Sequence, residues 1–241
     1  MVSSLIKKLC PAPLRQKIKL ACGAPDTEAS LAAMRRRGFN ANAAIDVGAY
    51  SGEWTMSLRQ LFPEAGVLMV EPQPAMKERL EALIHVHNGV AFASVLLGPA
   101  AATGVTFYQA ETGSSVLRDS GNGGAQSIAM EMTTLDAVTR DTRFERPDFL
   151  KLDVQGYEIE VLKGAERVLD SVEAVMMEVN LIAVYEGSPL IHEVLAYMAA
   201  RGFRVYDICT LFRRPYDNAL WQMDMIFVRA ASPLMASTRW A

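Results

Sequence analysis

Cysteine and histidine are scarce in this chain, with three of each in 241 residues. Cys10, Cys22 and Cys209 are an odd number and form no C-x-x-C pair. That argues against a disulfide framework or a zinc site and fits a reducing cytoplasm. His85, His87 and His192 show no metal-ligand spacing. A basic excess is missing too: the net charge is −3, which gives no reason to expect a nucleic-acid partner. No apolar run approaches the roughly 20 residues of a membrane span. Lys7 and Lys8 interrupt the only early apolar stretch before it gains the length of a signal peptide. There is no internal repeat, and no G-x-G-x-x-G that would announce a dinucleotide site.

Local charge is less even than the total. Residues 1–22 hold Lys7, Lys8, Arg15, Lys17 and Lys19 and no acid. The plain reading is a solvated amphipathic helix that packs Leu5, Ile6, Leu9 and Leu14 on the body. A weak membrane-surface contact or a lid for an anionic substrate is the other reading. A chain of this length suits one sizeable core. The expected organisation is a helical extension over 1–40, one domain over 41–230 and a tail over 231–241.

From residue 43 onward, short apolar runs alternate with helical periodicity. Residues 43–48, 66–71, 90–97, 148–154, 174–179, 203–208 and 223–228 read as strands. Helices are expected over 52–62, over 157–169 with Gly164 inside, and over 190–200. A further helical stripe runs through Met76, Leu80, Leu83 and Ile84. Residues 105–109 alternate like an edge strand, and 113–115 and 120–124 read as loops. Gly, Asn and Ser make the second loop the most mobile stretch, and loops such as 110–130 commonly carry substrate specificity. Strands alternating with helices predict an α/β, doubly wound parallel sheet. The final two strands lack a helix between them, so the last of seven should run antiparallel.

In such a sheet, ligands bind beyond the carboxyl ends of the strands at the switch point. That rule selects residues 46–52, Glu71, residues 97–98, 153–158 and 178–180. The first segment, Asp46-Val47-Gly48-Ala49-Tyr50-Ser51-Gly52, is a strand end, a glycine turn and a helix start. Glycines allow close backbone approach, and free amides at a helix start can hold a carboxylate. Asp46 and Glu53 would oppose a pyrophosphate, and no lysine is adjacent in the sequence. S-adenosylmethionine (SAM) carries an ammonium, a carboxylate and a sulfonium but no phosphate, so an acid beside the turn favours SAM over a nucleotide. Glu71, 25 residues after Asp46, is placed to accept both hydroxyls of a ribose. Asp153 stands where methyl donor and acceptor would meet. Glu178 and Asn180 end the neighbouring strand, so these three oxygen-bearing side chains could hold Mg²⁺, bond sugar hydroxyls or act as caps.

Together these residues carry a family resemblance, over about 34–228. Arg37-Gly38-Phe39 precedes Ile45-Asp46-Val47-Gly48-Ala49, followed by Leu61-Phe62-Pro63, Glu71-Pro72, Ser114-Ser115 and Thr134-Leu135-Asp136. The most specific stretch is LKLDVQGYEIEVLKG over 150–164, joined by Glu178, Tyr185-Glu186-Gly187 and Gln222-Met223-Asp224. The chain resembles the FkbM family of SAM-dependent methyltransferases. The resemblance implies a Rossmann-like class I SAM methyltransferase fold and O-methylation of a hydroxyl on a sugar, glycan or natural product. It departs from the family where Gly98 is followed by Pro99 rather than an acid, so no acid is expected to position the adenine there. The cofactor-binding set is then Asp46, Gly48, Ala49, Gly52, Glu71 and Pro72. Asp153 is the first candidate base and Glu178 the second. A metal-dependent transferase using Asp153, Glu178 and Asn180, a SAM-binding protein without activity and a nicotinamide oxidoreductase are the competing readings.

Overall fold

The computed structural model describes residues 22–121 and 125–239. The basic segment 1–21 and residues 122–124 of the expected mobile loop lie outside the described residues.

Asp26 opens the described helices as an N-cap, its carboxylate accepting from the Ala29 N–H at 3.0 Å, and α1 follows over Thr27–Arg36. The chain then alternates β1 (Ala43–Val47), α2 (Glu53–Leu61), β2 (Gly66–Val70), α3 (Lys77–Val86) and β3 (Val90–Ala93). Short β4 (Leu96–Leu97), β5 (Ala102–Gln109) and β6 (Gln126–Thr133) come next, then α4 (Leu135–Thr139) and β7 (Phe149–Leu152). The chain closes with α5 (Glu158–Lys163), α6 (Glu166–Ser171), β8 (Ala174–Asn180), α7 (Ile191–Ala200), β9 (Phe203–Ile208), β10 (Phe212–Arg213) and β11 (Leu220–Arg229).

The main sheet has the order β10-β11-β8-β7-β1-β2-β3, with β9 also paired to β11. Strands β3, β2, β1, β7 and β8 pair in parallel. β11 runs antiparallel to both β8 and β9, as the missing helix between the last two strands predicts. β2, β7 and β8 are buried along their whole length, as strands of a parallel sheet covered on both faces are, and only Lys151 in β7 and Glu178 and Asn180 in β8 interrupt their apolar sequence. On one face α1 and α2 bring Leu31, Met34 and Leu58 onto Ala44, Val67, Phe149 and Met176. On the other, α5, α6 and α7 bring Val161, Leu162, Val168, Val194 and Met198 onto Ile45, Leu150, Val175 and Met177. The C-terminal stretch is tied down as well, by Leu234 packing into the first of these clusters.

Several elements differ from the sequence reading: β10 makes the main sheet eight-stranded rather than seven-stranded, and α4 had no expected counterpart. The apolar run 90–97 splits, because β4 leaves the main sheet to pair with β6 in a separate three-stranded sheet, β4-β6-β5. Hydrophobicity cannot show such a change of partner. Strand β6 itself lies partly in the stretch read as a specificity loop. The helix expected over 157–169 is two helices broken at Gly164. A Cβ there would lie 2.1 Å from the Gly98 carbonyl oxygen, so the two backbones touch where only glycine fits.

Candidate active site

The order of strands turns back at β1, which has β2 on one side and β7 on the other. The carboxyl ends of these three strands therefore form the crevice where an open α/β sheet binds ligands. β1 runs out into residues 48–52, where Gly48, Tyr50 and Gly52 all have positive φ (74°, 44° and 80°). A Cβ on Gly48 would lie 1.9 Å from the carbonyl oxygen of Asp153. Glycine at 48 thus lets the β1 loop lie against the end of β7.

Glu71 ends β2 and is 2% exposed. One of its oxygens accepts from the Tyr50 N–H at 2.8 Å and the other from the Gln73 N–H at 2.9 Å. This ties the glycine loop to the end of β2 and leaves lone pairs on both oxygens. Burial raises the Glu71 carboxyl above its usual range, and the two backbone N–H groups oppose the shift.

Lys151 is the one charged residue within β7, and its ammonium is buried. Nζ lies 3.1 Å from Asp46 Oδ1, donates to the Gly48 carbonyl at 3.0 Å and approaches Asp153 Oδ2 at 3.7 Å. Burial alone would lower its pKa, but Asp46 and then Asp153 outweigh it and hold the ammonium above its usual range. Asp46 also accepts from Thr55 Oγ1 at 2.7 Å.

One cavity joins these strand ends. Its wall includes Gly48, Ala49, Glu71 and Pro72 at one end and Asp153 and Val154 at the other. Leu97, Phe107, Val116 and Tyr157 give it an apolar side. The Asp153 side chain is 40% exposed. Its Oδ1 accepts from Gln155 Nε2 at 2.8 Å, and the same nitrogen reaches Glu178 Oε2 at 3.0 Å. Glu178 itself is buried. Burial, followed by the charges of Asp153, Glu158 and Asp224, pushes its carboxyl well up. Glu158 Oε1 accepts from the N–H groups of Val154 and Gly156, which closes the loop that carries Gln155.

The structure therefore brings Gly48, Ala49, Glu71, Pro72 and Asp153 of the expected set to one cavity. Asp46 is fully buried behind the loop and engaged by Lys151 and Thr55. Direct contact with a ligand's ammonium is not the role this position offers; it anchors Lys151 instead. Gly52 is also off the wall, and a Cβ there would meet Leu83 at 2.5 Å. Glu178 sits behind Gln155. Asn180 is buried with Oδ1 unpartnered. Among the described residues, no group of three or more His, Cys, Asp or Glu side chains is placed to hold a metal ion.

Lys151 and Gln155 were missing from the expected set. Lys151 had a signal, since a lysine inside an apolar strand must find a buried partner. Gln155 lay within the selected segment 153–158, but nothing in the sequence says that its amide lies between two carboxylates. The contribution of Phe107 was hidden in a sheet whose pairing was not legible, and Val116 lies on the loop between β5 and β6.

The solved structures resembling this chain include magnesium protoporphyrin IX methyltransferase from Synechocystis PCC 6803 with bound SAM, at 12% identity and a TM-score of 0.48, covering 84% of this chain and 76% of that one. They also include fibrillarin from Aeropyrum pernix with bound SAM, at 13% identity and a TM-score of 0.46, covering 82% and 74%. In sequence, the chain is 28% identical to the methyltransferase sdnD of Sordaria araneosa over 213 residues, 75% of this chain and 77% of that protein. The family described as the methyltransferase FkbM domain matches residues 46–205. That match runs from the glycine loop through both carboxylate-bearing strand ends to β9, and the chain belongs to the FkbM methyltransferase family.

Proposed function

We propose that this protein transfers the methyl group of SAM to a hydroxyl oxygen of a sugar, glycan or natural-product acceptor, with Asp153 as the base. The observation that carries this reading is the single cavity joining the glycine loop and Glu71 to a partly exposed Asp153 carboxylate. SAM would supply a methyl group already activated on a sulfonium.

The donor set fits that molecule. Glu71 has free lone pairs for two ribose hydroxyls, as the acid at this strand end has in dinucleotide folds. Gly48, Ala49 and Ser51 would flank the aminoacyl end, and Leu97, Phe107 and Val116 would enclose the adenine by apolar contact. Apolar enclosure is consistent with Pro99 standing where the family has an acid. Lys151 is engaged by Asp46 and takes no ligand. It holds the Gly48 carbonyl and so fixes the loop.

Positioning two reactants contributes most of the acceleration, since effective molarities reach about 10⁵ M or more. Asp153 would receive the acceptor's hydroxyl proton on its cavity-facing carboxylate, a step that contributes about 10²-fold or more. Glu178 suits that task less well, being buried behind Gln155 and pushed toward its protonated form. The test is Asp153→Asn, assayed with methyl-tritiated SAM and a panel of saccharide and other hydroxylated acceptors. Transfer should fall about 10²-fold while affinity for S-adenosylhomocysteine (SAH) holds. Unchanged transfer to an acceptor that the parent methylates would refute the role of Asp153.

A further inference from the structure

Asp153 and Glu178 are the two carboxylates that a divalent cation would bridge at this site. What lies between them is the amide of Gln155, with Nε2 at 2.8 Å from Asp153 Oδ1 and 3.0 Å from Glu178 Oε2. The reverse orientation would set an oxygen against two carboxylates, so the charges dictate which way the amide faces. The residue is clamped on every side. Its Oε1 accepts from the Tyr185 hydroxyl at 2.8 Å, and its backbone carbonyl accepts from the Ser115 hydroxyl at 2.9 Å. The N–H groups of its two neighbours both donate to Glu158. Gln155 also has a φ of 57°, a conformation that non-glycine residues keep only where the surroundings over-determine it.

We propose that Gln155 is a positioning residue for Asp153, its amide occupying the place a divalent cation would need between Asp153 and Glu178 and making the site independent of metal. A cation sits roughly 2.0–2.6 Å from its oxygen ligands, and the amide nitrogen already fills that space. Its two hydrogens satisfy both carboxylates and bring no charge. The positioning role rests on the reading of Asp153 as the base, whereas the displacement of a cation stands on the geometry alone.

Gln155→Glu keeps the side-chain size and replaces two donors with anionic oxygens. Three carboxylates then face one point and favour a cation between them. The full chain, its Q155E variant and the double variant Q155E/D153N are titrated calorimetrically with MnCl₂. The parent should show no saturable binding below about 1 mM, Q155E should bind at least about tenfold more tightly, and the double variant should lose the gain. The melting temperature of Q155E should fall in EDTA and recover with Mn²⁺. Saturable Mn²⁺ binding by the parent that Asp153→Asn removes would overturn the proposal, as would a folded Q155E that gains none. If Q155E does not fold even with Mn²⁺, the parent titration decides alone, and absence of binding there supports the proposal. SAH is titrated into the same parent sample. Failure of that binding removes the donor reading and leaves the cation result standing on its own.

Discussion

Replacing Lys151 by methionine keeps the length of the side chain and removes the charge that organises the site. The cost can be worked from its partners. Asp46 is fully buried, and its oxygens have the Lys151 ammonium at 3.1 Å and the Thr55 hydroxyl at 2.7 Å. At an effective dielectric of about 20, the Coulomb attraction at that separation is about 5 kcal/mol, but burying both charges offsets much of it. The relevant quantity for the single variant is the carboxylate left buried without its cation, which costs about 3–5 kcal/mol. The Gly48 carbonyl loses its donor as well. For a domain of this size the melting temperature should fall by about 6–20 °C. Urea denaturation and calorimetry measure the loss, with Asp46→Asn/Lys151→Met as the control. The double variant removes the stranded charge and should recover at least about 1 kcal/mol. A loss under about 1 kcal/mol in the single variant, or a double variant no more stable than the single, would refute the assignment of Lys151 and Asp46 as an organising pair.

Gly48→Ala should destabilise the fold as well as the site, because the new methyl meets the Asp153 carbonyl at 1.9 Å and φ is +74°; a variant with parental melting temperature would show that the loop and β7 are not in that contact. The carboxyl of Glu158 is raised from 4.5 to about 7, by burial against the opposing backbone N–H groups and with Asp153 adding to the rise. Its favourable contribution is therefore fully present below pH 4.5 and is lost as the pH rises through 7. Glu158→Gln should flatten the stability profile across that window by about 3 kcal/mol relative to the parent, read by urea denaturation at the two ends; parallel profiles would contradict it.

The parallel sheet was legible because β1, β2, β7 and β8 are buried, mainly apolar runs, each followed by a helical stripe, and both signals are local. Glu71, Gly48 and Asp153 were legible for a related reason: a strand end at the switch point is a ligand position whatever the ligand. Pairing was not legible where one apolar run changes partner, as at β3 and β4, nor at β6, whose alternating Ile128, Met130 and Met132 adjoin a stretch that reads as a loop. Direction was the other gap. Asp46 and Asp153 are both acids at strand ends, yet one points under the loop to Lys151 and the other into the cavity. The contacts of Lys151 and Gln155 distinguish them, and the decisive one, Lys151 with Asp46, joins residues far apart in the chain.

The proposed donor site is the cavity between β1, β2 and β7, with Glu71 as the anchor for a SAM-like molecule. Calorimetric titration of the parent and of Glu71→Ala with SAH and with NAD tests it most directly. The parent should bind SAH saturably, Glu71→Ala should weaken that binding by more than about 1 kcal/mol through loss of charge-assisted hydrogen bonds, and NAD should show no comparable binding. Tight NAD binding without SAH binding, or SAH affinity indifferent to Glu71, would contradict it.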